Sequence, residues 1–229
     1  MPHITSANIA CGAHAGDAET MRLTVALALD HRVAIGAHPG YRDPANFGRA
    51  ALDIAPEALR DDLVRQLEEL RVIAAAAGAR LAHVKTHGAL YNKGERDDVI
   101  AATIAEAVRR FDEDLVLFAP PGSAMERAAG AAGIRVAREG FADRAYEPDG
   151  TLRSRRLEAS VHTDPSVAAM QAVSIARDHV VRTSDGGTLP LEVDSLCIHG
   201  DTPGAPSIAR AVRQALERAG IDLAPFVAG

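Results

Sequence analysis

The chain has 229 residues, of which 47% are hydrophobic: enough apolar material for the core of one α/β domain, and too much for a disordered chain. Aromatic residues make up only 3% and tryptophan is absent, which argues against a surface that stacks nucleic-acid bases. A net charge of −6, with no long basic run, disfavours phosphate backbones and anionic membrane surfaces alike.

The two cysteines, Cys11 and Cys197, make no disulfide framework and read as buried core thiols. No apolar stretch reaches membrane-spanning length and the N-terminus has no signal-peptide pattern, so the expectation is a cytoplasmic soluble protein.

In chain order, strands alternate with helices. Residues 5–11 read as a strand ending at Gly12. Asp17 is placed to cap a helix running to about His31, with Met21, Val25 and Ala28 on one face. Residues 33–37 form a second strand, followed by a loop rich in Gly, Pro and Asp. Pro56 suits the first turn of a helix whose Leu59, Leu63, Leu67, Leu70, Ile73 and Ala77 repeat every three or four positions, and Gly78 stops it. Residues 81–85 form strand three. Val99, Ile100, Thr103, Ile104, Ala107, Val108 and Phe111 mark a further amphipathic helix. Residues 115–119 form strand four, and Pro120-Pro-Gly-Ser123 opens a short helix ending near Gly133. Strand five starts at Ile134 and extends toward Phe141.

A long polar loop, 142–162, carries Asp143, Arg144, Tyr146, Asp149 and Arg153; loops of this length often act as lids or binding segments. Asp164-Pro165 starts a helix to about His179. Residues 180–193 read as a hairpin around Asp185-Gly-Gly. Residues 195–199 form strand six, and Thr202-Pro203 is placed to cap the last helix, whose face is Ile208, Val212, Ala215, Leu216 and Ala219. This alternation predicts a mainly parallel sheet flanked by helices, in one domain spanning 1–229.

Four segments close strand-like runs with histidine: Ala10-Cys-Gly-Ala-His-Ala-Gly-Asp17, Gly36-Ala-His-Pro-Gly40, His83-Val-Lys-Thr-His-Gly88 and Cys197-Ile-His-Gly-Asp201. In a parallel α/β fold such strand ends lie on one face, where sites are built. The candidate catalytic residues are therefore His14, Asp17, His38, Lys85, His87, His199 and Asp201. Only a closed barrel brings first and last strands together, so the histidines favour a barrel over an open sheet.

Imidazole at physiological pH serves as acid, base, hydrogen-bond donor or metal ligand. No HxH spacing occurs, and the one HxxxH, His83 to His87, lies in a strand-like run, so no metal is assigned. Asp17 reads equally as a helix cap or as a carboxylate beside His14. Lys85, at the end of an apolar strand, suits a carboxylate or phosphate as a point charge, flanked on its strand face by His83 and His87. Asp201 lies just before a helix whose amides suit an anion, or is itself a cap. P-loop, Rossmann and nucleophile-elbow motifs are all absent.

These segments, with Phe47-Gly-Arg49, His83-Val-Lys-Thr-His-Gly-Ala-Leu-Tyr-Asn92 and Glu139-Gly-Phe-Ala-Asp-Arg-Ala-Tyr146, resemble the LamB/YcsF family across nearly the whole chain. The resemblance implies a seven-stranded (β/α) barrel of the polysaccharide-deacetylase type. It also implies the A subunit of a 5-oxoprolinase (a cyclic amide hydrolase), working with subunits B and C. Together they open 5-oxoproline to L-glutamate at the expense of ATP, with Mg accompanying the nucleotide. Phosphorylation of the stable lactam at its amide oxygen would make that oxygen a leaving group.

Family members usually begin with a strand reading Asp-Leu-Asn-x-Asp-x-Gly-Glu, whereas here Met1 lies four residues before Thr5. The expectation is thus a barrel short of its first strand, with exposed sheet edges that favour pairing with another chain, including a homo-oligomer. Thr86 stands where the family usually has Pro, and Ala13 where an aromatic is common. Two other readings stay open. One is a metal-dependent deacetylase acting on an N-acyl sugar or amide. The other is a non-catalytic ligand-binding subunit.

Overall fold

The computed structural model describes residues 1–226. It consists of two compact units, Met1–Ala137 together with the residues from Pro225, and Arg138–Ala224.

In the first unit four parallel strands lie side by side in chain order: β1 (Ser6–Ala10), β2 (Ala34–His38), β3 (His83–Val84) and β4 (Val116–Ala119). β4 reads Val-Leu-Phe-Ala and is buried at every position, as a parallel strand covered on both faces must be. Each crossover is helical. Asp17 caps α1 (Ala18–Asp30) by accepting from the Thr20 amide at 2.7 Å, and Met21, Val25 and Ala28 are its buried face, as expected. Pro56 opens α2 (Pro56–Ala76), which buries Leu59, Leu63, Leu67 and Leu70, each contributing about 2 kcal/mol of transfer free energy.

Three differences from the sequence reading stand out here. Strand three is only two residues long, although its ladder continues through Lys85 N to Ala37 O (2.9 Å) and His87 N to Pro39 O (2.8 Å). It then turns directly into a short helix that periodicity did not show, α3 (Gly88–Gly94). Next come α4 (Asp98–Phe111) and, after β4, α5 (Ala124–Ala131), capped by Ser123. Val99, expected on the α4 core face, is 59% exposed because it sits in the first turn, outside the stripe formed by Ile100, Ile104 and Val108.

β5 (Val136–Phe141) begins in the first unit and runs into the second, where it pairs in parallel with β8 (Ser195–Cys197). The second unit also holds α6 (Pro165–Asp178), capped by Asp164, the antiparallel hairpin β6 (Val180–Arg182) and β7 (Thr188–Pro190), and α7 (Ala205–Arg218). Its core joins Ala168 and Ala172 of α6 to Ile208, Val212 and Leu216 of α7. The cap of α7 is Gly204 in the left-handed region rather than Thr202-Pro203, because the Thr202 hydroxyl is directed at Asp143, 3.4 Å away. Among the described residues six strands have parallel partners, and the α/β class is as expected.

One close approach ties the first unit together. Asn8, Gly36 and His83 are register partners across β1, β2 and β3. The fully buried His83 ring passes over Gly36 to reach Asn8 Oδ1 at 2.9 Å and stacks on Phe118, with ring centres 4.4 Å apart. A Cβ on Gly36 would lie 1.9 Å from His83 Nε2. Gly36→Ala should therefore destabilise the chain by on the order of 3 kcal/mol. In a double-mutant cycle with His83→Ala, measured by denaturant unfolding, the two changes should couple by more than about 1 kcal/mol. Strict additivity would contradict this packing.

Candidate functional site

The first unit gathers His14, His38, Lys85 and His87 at the C-terminal ends of its strands. His14 and His87 are stacked face to face, with ring centres 3.9 Å apart and planes within 5°. His38 meets both rings edge-on, at 5.7 Å from His14 and 4.8 Å from His87. His38 Nδ1 lies 2.6 Å from the Lys85 carbonyl oxygen, and His87 Nε2 lies 2.8 Å from that of Phe47. The two rings face each other through His38 Nε2 and His87 Nδ1, 3.0 Å apart.

The Phe47-Gly48-Arg49 loop forms one wall. Phe47 has φ 55°, a left-handed conformation costing about 1 kcal/mol or more for a residue with a side chain. That conformation directs its carbonyl to His87 while its ring packs edge-on against His14 and His87. The Arg49 guanidinium lies over the Phe47 ring at 4.9 Å. Lys85 is 5% exposed, and its ammonium lies 5.5 Å from the Tyr91 ring centre.

The loop after β2 is clamped by a residue that sequence reasoning did not single out. Gln66 of α2 is fully buried; its Oε1 accepts from Gly40 N at 3.0 Å and its Nε2 donates to Gly40 O at 2.8 Å. A buried Gln on an apolar helix face was the available signal, since such an amide must find partners.

Burial, then the neighbouring His87 and Arg49, push the His14 imidazole down to about 3. Burial, His87 and Lys85 likewise press His38 well below the ordinary histidine range. Burial and Lys85 take His83 to about 3. Burial raises the Cys11 thiol to about 12, so it is a core thiol and not a nucleophile.

Asp17 is exposed and serves as the α1 cap, its carboxyl held down by the Thr20 hydrogen bonds. In the second unit, the fully buried Asp143 accepts from His199 N at 2.9 Å and faces His199 Nδ1 at 3.0 Å. Burial would raise this carboxyl, but the His199 bonds and charge, with the Arg144 charge, outweigh it and hold it below the usual range. His199 is stacked on Phe141, and Asp201 sits exposed in the turn that follows. The loop starting at Ala142 is pinned rather than free at its beginning. Gln171 Nε2 donates to the carbonyls of Phe141 and Arg144, each at 2.7 Å, and Arg144 donates to those of Ser160 and Arg153.

Among the described residues no group of three or more His, Cys, Asp or Glu is placed to hold a metal ion. Among the described residues no helix is long and apolar enough to cross a membrane.

The sequence profile of the LamB/YcsF family matches residues 1–228. The chain belongs to the LamB/YcsF family. Its relatives include the A subunit of 5-oxoprolinase from Bordetella pertussis, 52% identical over 218 residues that cover 95% of this chain and 86% of the relative. Its counterpart from Heliobacterium modesticaldum is 48% identical over 217 residues, covering 95% and 85%. A lactam utilization protein from Thermus thermophilus superimposes with a TM-score of 0.92 at 44% identity, covering 98% of this chain and 90% of that one. The histidine clusters described above thus sit in a LamB/YcsF fold.

The neutral, buried state of His14 and His83 sets an acid limit on stability. An unfolded histidine titrates near 6.5, the folded ones near 3. Between these values the unfolded chain binds protons that the folded chain refuses. Stability is therefore full above pH 6.5 and is lost as pH falls toward 3, by up to ~1.4 kcal/mol per pH unit for each histidine. Denaturant unfolding at pH 7, 6 and 5 should show this slope, and His83→Gln should remove one histidine's share of it. An unchanged slope in that variant would contradict the burial argument.

Proposed function

We propose that this chain is the A subunit of a 5-oxoprolinase, which opens the lactam of 5-oxoproline to L-glutamate with hydrolysis of ATP. The observation that carries the reading is about 50% identity, over nearly the whole chain, to relatives bearing that name. The assembled enzyme includes subunits B and C, and Mg accompanies the ATP. This chain has no glycine-rich phosphate loop, and none of its residues is assigned to the nucleotide. The architecture belongs to the same proposal: a seven-stranded (β/α) barrel of the polysaccharide-deacetylase type.

The substrate is a small anion with a ring amide to break. Lys85, held in an apolar setting at a strand end, suits its carboxylate, or a phosphate formed on the amide oxygen, as a fixed point charge. Proton transfer is assigned to the cluster of His14, His38 and His87. Within the second unit His199, anchored by Asp143, and Asp201 are the polar residues assigned a role, and in the first unit Asp17 orders the segment that carries His14.

The test is ATP turnover that depends on 5-oxoproline, in the complex reconstituted with its partner subunits. Lys85→Ala should lower it by about 100-fold while the variant still assembles. Equal rates for the two proteins would remove Lys85 from the mechanism. A wild-type complex with no 5-oxoproline-dependent turnover would overturn the reading itself, whereas turnover that survives loss of every pocket histidine would make this chain a scaffold.

A further inference from the structure

Hydrogen counting across the imidazole cluster gives a result that distances alone do not. A backbone carbonyl can only accept, so the 2.6 Å contact between His38 Nδ1 and Lys85 O requires a proton on Nδ1. The 2.8 Å contact between His87 Nε2 and Phe47 O likewise requires a proton on Nε2. In a neutral imidazole the other nitrogen is then a bare lone pair. Both bare nitrogens point at each other, His38 Nε2 to His87 Nδ1, at 3.0 Å. That is the length of an N–H···N bond and is too short for a water molecule between them. Moving either proton to the shared side would instead set a lone pair against a carbonyl oxygen, forfeiting a bond and adding repulsion.

We propose that His38 and His87 hold one extra proton between them at neutral pH, and that His38 surrenders it to the lactam nitrogen as the ring opens. The catalytic part rests on the 5-oxoprolinase reading; the proton between the rings does not. His38 is the donor because it is partly exposed, whereas His87 is buried under the Phe47 loop and stacked on His14. His87 is the positioning residue.

The surroundings limit the pair to a single proton. His14 lies on the face of His87; Lys85 lies two positions before His87, with Tyr91 of α3 beside its ammonium; and Arg49 adds charge from the opposite loop. From α2, Gln66 is neutral, while Glu69 faces the protonated Cys11 next to the His38 backbone. Burial and these cations oppose any charge on the pair, the first proton included, and rule out a second. The first is different in kind, because without it two lone pairs collide, and a charge-assisted bond is roughly twice as strong as a neutral one.

The chemistry balances. The lactam C–N bond breaks, its electron pair stays on nitrogen, and the shared proton goes there. The water whose hydroxyl adds to the carbonyl carbon returns a proton to the pair, for a net consumption of one water. Where ATP has phosphorylated the amide oxygen, this step leaves an acyl phosphate, and a second water hydrolyses that to glutamate and phosphate.

Long-range proton–nitrogen correlation on histidine-labelled chain at pH 7 should find three ring protons on the two imidazoles of His38 and His87, and as pH rises the shared one alone should be lost, in a single step that both rings report. His38→Gln should abolish the shared signal and lower kcat of the reconstituted complex by about 100-fold or more, with KM for 5-oxoproline changed only several-fold. His87→Gln should shift the alkaline limb of the kcat profile to lower pH, which a merely structural role would not do. Two ring protons on the two imidazoles at pH 7, or a divalent metal found bridging them, would overturn the proposal even if the complex is active. Three protons in an inactive wild-type complex would leave the shared proton standing and sink the 5-oxoprolinase reading instead.

Discussion

The candidate site in the first unit depends on backbone without side chains. A Cβ on Gly40 would lie 3.0 Å from His14 Nδ1 and 3.1 Å from His87 Cβ. One on Gly48, where φ is +66°, would lie 2.8 Å from His14 Cβ and 2.9 Å from His87 Cδ2. Only glycine lets the two loops close on a stacked pair of imidazoles from both sides. Once they close, carbonyls from Phe47 and Lys85 are the nearest partners for the outer ring nitrogens, and the protonation pattern of the cluster follows from that geometry.

The cost of the arrangement is visible in the same residues. Phe47 holds a left-handed backbone, His14 Nδ1 and His83 Nδ1 are buried without hydrogen-bond partners, and several basic groups are crowded together. Each lowers stability by about 1 to 3 kcal/mol in general terms. A fold retains such features where they serve binding or chemistry, and an assembly of basic groups around an apolar wall is suited to a small anion. The apolar bulk of α2, α4 and β4 supplies the offsetting stability without contributing to the chemistry.

Much of this was legible in the sequence. Leucines at helical spacing named the buried face of α2, and the apolar runs named the strands because parallel strands are covered on both sides. Histidines placed after those runs named His14, His38 and His87, since a strand end is where a parallel fold exposes side chains. What stayed hidden was set by contacts distant in sequence. α3 is too short to show periodicity. Phe47 acts through its carbonyl, which no residue type announces. Asp143 and Thr202 looked like loop and cap, yet both are spent on ordering His199. Gln66 works by clamping one peptide 26 positions away.

The most direct test of the account is Gly48→Ala, assayed for 5-oxoproline-dependent ATP turnover in the reconstituted complex alongside thermal unfolding of the variant. If glycine-backed closure onto the imidazoles makes the site, turnover should fall by at least about 100-fold while the chain still unfolds cooperatively, its midpoint a few degrees lower. Wild-type turnover in that variant would show that the stacked histidines and their carbonyl partners are not what the reaction uses.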